Sequence, residues 1–338
     1  MVARLFRPQE LAFRTQYAEL KERTHAAGPL LPGTPGTLVL REGTGYPYWY
    51  RVSYPVPGRA REEFVCKDGD EDALNVMRER IAHHEWVVRQ VSSLRKLGFQ
   101  VADKQVARVV VELHNQGAFA AGLVLVGTLA YCAWLNELGG IAVAARTQDV
   151  DLARGERLRL AAPLPFLATM QSTGLSFAAV PGMPSRTPST SIKLPGAQGL
   201  RVDMLAPGEM VGAAVEVPEL DWCAQAVPHY DYLLDDVEDG ALLAGGHCIP
   251  VRLPNAARFV WHKAYSSLQR HGFPEKAAKD RQQALVLGAM ISEAEEHELV
   301  VAWEEAPAAM TEIIRPGLQH MMEAAGAHPE FVSLLERL

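Results

Sequence analysis

The chain has 338 residues, a net charge of −7, 48% hydrophobic and 22% charged residues. That length exceeds one small module and predicts two or three regions able to bury a core. The acidic balance excludes a generally basic nucleic-acid coat, although residues 1–108 carry 17 Lys and Arg against 13 Asp and Glu and the remainder 16 against 27, a weak pointer to a polyanion near the first part.

Apolar spacing at Leu11, Phe13, Tyr17 and Leu20 predicts a helix over 8–26. A Gly/Pro cluster from Gly28 to Gly36 breaks it. Strands are expected over 37–41, 46–54 and 61–66, with Glu42-Gly43-Thr44-Gly45 as a turn. The middle strand is crowded with Tyr46, Tyr48, Trp49, Tyr50 and Tyr54, and Arg41, Arg51, Arg59 and Arg61 lie close by. Two readings stand: alternate aromatics form the core of a small sheet on the next helix, or they stack bases of a nucleic acid. That next helix is expected over 71–97, ending at Gly98, with Leu74, Met77, Ile81, Val88, Val91 and Leu94 near one face. His83-His84-Glu85 lacks a second spaced histidine and is expected to be exposed on it.

A helix is expected over 104–116. The uncharged stretch Gly117–Leu135 is about long enough to span a bilayer, but its glycines favour a buried strand (123–126), a turn at Gly127-Thr128 and a buried helix. Further strands are expected around Asp151, over 191–194, 200–205 and 251–253, with a helix over 164–172. Segments 208–217 and 227–238 give no clear pattern. After Asn255, a candidate N-cap, helices are expected over 256–271, 275–297, 307–323 and 328–337. The domains expected are 1–104, 105–254 and 255–338. Cys66, Cys132, Cys223 and Cys248 form no C-x-x-C pair and read as reduced thiols, which fits the cytoplasm. No secretory leader and no membrane partner are expected.

The chemistry lies in three places. Asp149-Val150-Asp151 in a strand puts two carboxylates on one face. Such neighbours repel unless a cation lies between them, and hard oxygen ligands suit Mg²⁺. Asp203, charged within the apolar run Leu200–Leu205, would complete a two-metal site on a neighbouring strand. Gly127-Thr128, between a strand and a helix N-terminus, offers backbone N–H groups and a hydroxyl to phosphate. No P-loop, G-x-S-x-G or H-E-x-x-H motif is present.

Leu125-Val126-Gly127-Thr128-Leu129 resembles the Gly-Gly/Ser/Thr motif of the DNA polymerase β superfamily of nucleotidyltransferases, with Val126 in place of the second glycine, and Arg146–Leu152 resembles its D-x-D strand. The long interval between the two resembles the bacterial AbiEii-like branch. Pro254–Lys263 and Lys276-Ala277-Ala278-Lys279-Asp280 resemble that branch's helical lysine and Lys/Arg-Asp segments. The resemblance covers about residues 105–290. It implies an α/β (α+β) polymerase β-like core with a mixed sheet, an N-terminal helix-plus-hairpin region and a helical C-terminal part. It further implies two Mg²⁺ ions, with Mn²⁺ as a substitute, on Asp149, Asp151 and Asp203. Gly127, Thr128, Lys263, Arg270, Lys279 and Asp280 would bind nucleotide, with Lys263 on its phosphates and Asp280 orienting Lys263 or touching the acceptor. Lys263, set in an apolar helical stretch, must snorkel or find a partner, and triphosphate oxygens are the partner expected. Its loss should then cost little stability. The reaction implied is transfer of a nucleoside monophosphate from an NTP to RNA, protein or a small molecule. The branch includes toxins, so a protein antitoxin is a candidate partner. The alternative is a nucleic-acid-binding regulator whose fold binds nucleotide without turnover.

Overall fold

The structure, a computed structural model, describes residues 3–43, 45–56, 58–143 and 147–338. Thr44 and Arg146, named above in a turn and in a motif, lie outside the described residues.

The chain opens with a two-residue strand β1 (Arg7–Pro8) and helix α1 (Leu11–Ala26). A three-stranded antiparallel sheet follows: β2 (Thr37–Glu42), β3 (Pro47–Val56) and β4 (Arg59–Lys67). Helix α2 (Glu71–Lys96) starts at Asp70, whose carboxylate accepts from the Ala73 N–H at 3.1 Å, and Gly98 follows its end with φ +94°. The side chains it buries are Leu74, Met77, His84, Val87, Val91 and Leu94. Ile81 and Val88 are only half-buried, and His84 is 5% exposed. The expectation of an exposed histidine pair is therefore wrong for His84. It failed because His84, seven residues after Met77 and three before Val87, shares the inward face of those buried residues whatever its polarity.

The next part builds the principal sheet. Helix α3 (Lys104–Asn115) leads to β5 (Leu123–Val126), all four residues of which are buried, and to helix α4 (Gly127–Glu137). A short β6 (Gly140–Ile141) pairs with β1. Then come β7 (Asp149–Arg154), α5 (Phe166–Ser172), β8 (Ala178–Ala179), β9 (Ser191–Lys193), β10 (Arg201–Pro207), β11 (Ala214–Val217) and β12 (Trp222–Val227). The sheet runs β11-β12-β10-β7-β5, with β9 also on β10 and β8 on β9. It is mixed: β10 is parallel to β7 and β12, while β5 is antiparallel to β7.

Helix α6 (Tyr230–Asp235) precedes a hairpin, β13 (Val237–Ala244) and β14 (His247–Pro254). β13 was not expected, and β14 begins four residues before the expected strand. The run Gly240–Ala244 is buried throughout, so it shows no alternation, although Gly245-Gly246 is a two-residue hairpin signal. Helices α7 (Ala256–Gln269), α8 (Pro274–Glu304), α9 (Ala308–Ile314), α10 (Leu318–Ala324) and α11 (Pro329–Arg337) complete the chain. The single helix expected over 307–323 is split at Arg315-Pro316-Gly317, because proline lacks the N–H that would continue it. The α+β class with a mixed sheet is as expected. One apolar core runs from Phe6 through the sheet into α7, α8 and α11, and a smaller one joins α1, α2 and the β13–β14 hairpin. Among the described residues no helix is long and apolar enough to cross a membrane.

The small N-terminal sheet shows which way its aromatics point. Arg51 and Ser53 are buried, whereas Tyr48 and Tyr50 pack on the exposed Phe64, with ring centroids 6.0 and 5.9 Å away. Arg51 donates to the carbonyls of Pro32, Thr34 and Pro35 and pairs with Glu63 at 2.9 Å. The inner face is thus held by a buried arginine, and Tyr48, Tyr50 and Phe64 lie on the outer one.

Candidate active site

Alternation along two parallel strands builds the site. In β7 Val150 and Leu152 are buried, while Asp149 and Asp151 are half-buried on the other face. In β10 Val202 and Met204 are buried, while Arg201 and Asp203 share the second face. The register pairs Arg201 with Asp149 and Asp203 with Asp151. Asp203 therefore lies on the same side of the sheet as Asp151, on the adjacent strand. On the other flank β5 pairs Val126 with Asp151, so the chain turns at Gly127 beside that carboxylate.

Gly127 has φ +67°, and a Cβ there would stand 1.9 Å from Asp151 Oδ2. Only glycine fits that turn with Asp151 where it is. Gly127→Ala is expected to push the carboxylate away, cost about 1–2 kcal/mol in backbone strain and reduce activity to background. Full activity with unchanged chemical-denaturation stability would show that the close approach is dispensable. The N-terminus of α4 has no side-chain cap, so its first N–H groups remain open at the turn. Thr128 is buried, and its hydroxyl accepts from Gln283 Nε2 at 3.4 Å.

The opposite wall is helical and basic. Lys263 of α7, 8% exposed, donates to Asp280 Oδ1 at 2.7 Å. Asp280 of α8 is 1% exposed, and Arg270 Nε lies 2.6 Å from its Oδ2, close enough for an ion pair though not aligned as a hydrogen bond. Burial pushes the Asp280 carboxyl up, but Lys263 and Arg270 more than offset this and hold it below its ordinary value. Within the chain the partner of Lys263 is thus the buried Asp280, the residue expected either to orient it or to touch the acceptor, so triphosphate oxygens are not the first partner it finds. Lys279 is shifted down by burial and by Lys263, against the pull of Asp280, Asp151 and Asp149.

All nine sequence-derived site residues line one cleft of about 760 Å³: Gly127, Thr128, Asp149, Asp151, Asp203, Lys263, Arg270, Lys279 and Asp280. Burial, then Asp203 and Asp149, pushes the Asp151 carboxyl from its ordinary 3.8 up to about 6, with Lys263 and Lys279 pulling the other way. Carboxylates this poorly neutralised fit a cation. Asp203 is engaged otherwise: Arg201 Nε donates to its Oδ1 at 2.7 Å, and the Ser191 hydroxyl donates to the same oxygen. Among the described residues no three His, Cys, Asp or Glu side chains come together closely enough, as they stand, to form a complete metal-ligand set. The donor chemistry fits Mg²⁺, to which Asp203 would offer Oδ2, the oxygen not held by Arg201 and Ser191.

Sequence reasoning missed Arg201, Ser191, Gln283 and Lys276 as cleft or cleft-supporting residues. Arg201 was findable, since it sits two before Asp203 and must share its face. Ser191 and Gln283 were not, because only the β9–β10 pairing and the α8–α4 packing bring them in.

The mixed sheet thus presents carboxylates beside a glycine turn, and a basic helical wall faces them across one cleft. Residues 104–308, more than half of the chain, match the family model described as nucleotidyltransferase, and the chain belongs to that family. No curated protein and no solved structure matches it.

Proposed function

We propose that the protein is a metal-dependent nucleotidyltransferase of the polymerase β superfamily that moves a nucleoside monophosphate from an NTP to an acceptor and releases pyrophosphate. The observation that carries the reading is the β7–β10 register, which sets Asp203 beside Asp151 with Asp149 two residues along the same face. Two Mg²⁺ ions bound by these carboxylates would supply charge neutralisation and activation of the acceptor. The residues of the chain do the rest. The open N–H groups at Gly127 and Thr128 cradle the triphosphate. Lys263, fixed by Asp280, and Lys279 with Lys276 balance the charge that builds on the leaving pyrophosphate. An acceptor oxygen bonds to the α-phosphorus, the bond to the bridging oxygen breaks, and Asp203 takes the acceptor's proton.

For the acceptor we favour RNA. The outer face carrying Tyr48, Tyr50 and Phe64, with Arg41 and Lys67 at its margins, suits stacked single-stranded bases. Membership of the AbiEii-like branch, with a toxin role and a protein antitoxin, is the finer part of the proposal. Growth arrest on expressing the wild type but not Asp149→Asn is its test, and equal growth would remove it.

The test of the reaction is incubation with NTPs labelled at the α-phosphate, Mg²⁺, and total cellular RNA or protein in separate tubes. Label is expected in RNA. Label in protein alone would move the acceptor, and tight nucleotide binding with no transfer to either would favour the non-catalytic regulator.

A further inference from the structure

A second pocket, of about 290 Å³, lies between α1, α2 and the β13–β14 hairpin and shares no lining residue with the catalytic cleft. Its walls are mostly apolar, including Leu30, Leu31, Val76 and Val87. Set into them are His84 of α2 and His247 of β14, each 5% exposed, with ring centroids 4.5 Å apart and planes tilted by 45°. Neither ring nitrogen of His84 has a partner. His247 Nε2 donates to the Leu31 carbonyl at 3.1 Å, which leaves Nδ1 as a lone pair with no aligned donor. His83 Nε2, at the pocket margin, is also without a partner.

Buried polar groups in folded proteins almost always find partners, and each one left without costs free energy. Three histidines that gather unpaired nitrogens in one cavity therefore point to an occupant. We propose that this pocket binds a small, uncharged, planar heterocycle carrying both an N–H and a carbonyl, of nucleobase size, as a site separate from nucleotidyl transfer.

The chemistry sets each part of that description. The volume is at the lower end for small-molecule sites and suits one or two fused rings. Both histidines stay neutral: burial drives the His84 imidazole down to about 3, with His247 and Arg51 adding to it, and burial with Arg51 lowers His247 against the pull of the carbonyl it donates to. A neutral imidazole has one donor and one acceptor, so His84 asks for both in return, and His247 Nδ1 asks for a donor. The buried Arg51 commits its donors to three backbone carbonyls and Glu63, so it offers a carboxylate no free pairing. A cation would be repelled by Arg51 and Arg80. A planar ring also lies against the tilted imidazole faces and the aliphatic wall.

The experiment uses the full chain without NTP or metal, with uracil and hypoxanthine as probes and uracil methylated on both ring nitrogens as the control. Binding is read from the ring NMR signals of His84 and His247. At millimolar concentration at least one base should shift both rings. The methylated control and the His84→Leu variant should each weaken binding at least tenfold, while Asp151→Asn, in the other cleft, leaves it unchanged. The wild-type comparison with the control stands even if the variant folds poorly. The proposal is overturned if neither base shifts the rings, or if the control binds equally. It also falls if His84→Leu binds as wild type, if Asp151→Asn abolishes binding, or if Zn²⁺ alone occupies both imidazoles and excludes the bases.

Discussion

Asp151→Asn is expected to abolish nucleotidyl transfer and, in metal-free solution, to make the protein more stable. Burial and the neighbours Asp203 and Asp149 raise this carboxyl from 3.8 to about 6, so its charge is unfavourable in the folded chain. A shift of that size corresponds to about 3 kcal/mol in a dry site, and water in the open cleft reduces it to about 1–2 kcal/mol. The sign fixes the pH window. Below 3.8 the carboxyl is protonated in both folded and unfolded chains and contributes nothing. Between 3.8 and about 6 the unfolded chain ionises first, so the wild type loses stability as pH rises. Asn cannot ionise, so the advantage of the variant should open across that window and stay constant above it. Mg²⁺ should stabilise the wild type and not the variant. Chemical denaturation at a series of pH values, with and without Mg²⁺, checks this. A variant less stable than wild type near neutral pH without metal would contradict the clustered-carboxylate reading.

The second large effect concerns the ion triad on the helical wall. Asp280→Ala should destabilise the protein by about 3–5 kcal/mol, because it strands a buried lysine. Lys263 is 8% exposed and Asp280 1% exposed, so neither reaches bulk water freely. Lys263→Ala leaves Asp280 with Arg270 alone, a partly exposed partner, and should also destabilise, though by less. The double variant Lys263→Met with Asp280→Leu should recover most of the loss, since removing both charges avoids the unpaired one. Urea denaturation of the three variants decides it: single and double variants equally unstable would mean that the pair is not the cause. NTP affinity separates stability from function, and it should fall in the double variant even where folding is restored.

Much of the cleft was legible because period-two alternation is a local rule. Asp149, Asp151 and Asp203 announce their face by the apolar residues between them, and Gly127-Thr128 announces a turn by following four buried apolar residues. What escaped depends on partners far along the chain. The pairing of Lys263 with Asp280, seventeen residues on and across a helix boundary, was suggested only by the family resemblance, since no local rule gives their 2.7 Å contact. Nothing local says that Arg201 and Ser191 tie down Asp203, which requires β9 and β10 to pair. The strand β13 escaped for a different reason, since burial on both faces erases alternation, and there Gly245-Gly246 was the readable signal. His84 shows the converse case: its polarity suggested the surface, while its position in the helix fixed the interior.

The most direct measurement of the central claim is pyrophosphate release from NTPs in the presence of Mg²⁺ and total cellular RNA, for wild type and Asp151→Asn side by side. The wild type should release pyrophosphate in equal amount to the nucleotide label appearing on the acceptor, and Asp151→Asn should release none while remaining folded. Tight NTP binding by the wild type without pyrophosphate, or equal release by the variant, would contradict nucleotidyl transfer at this cleft.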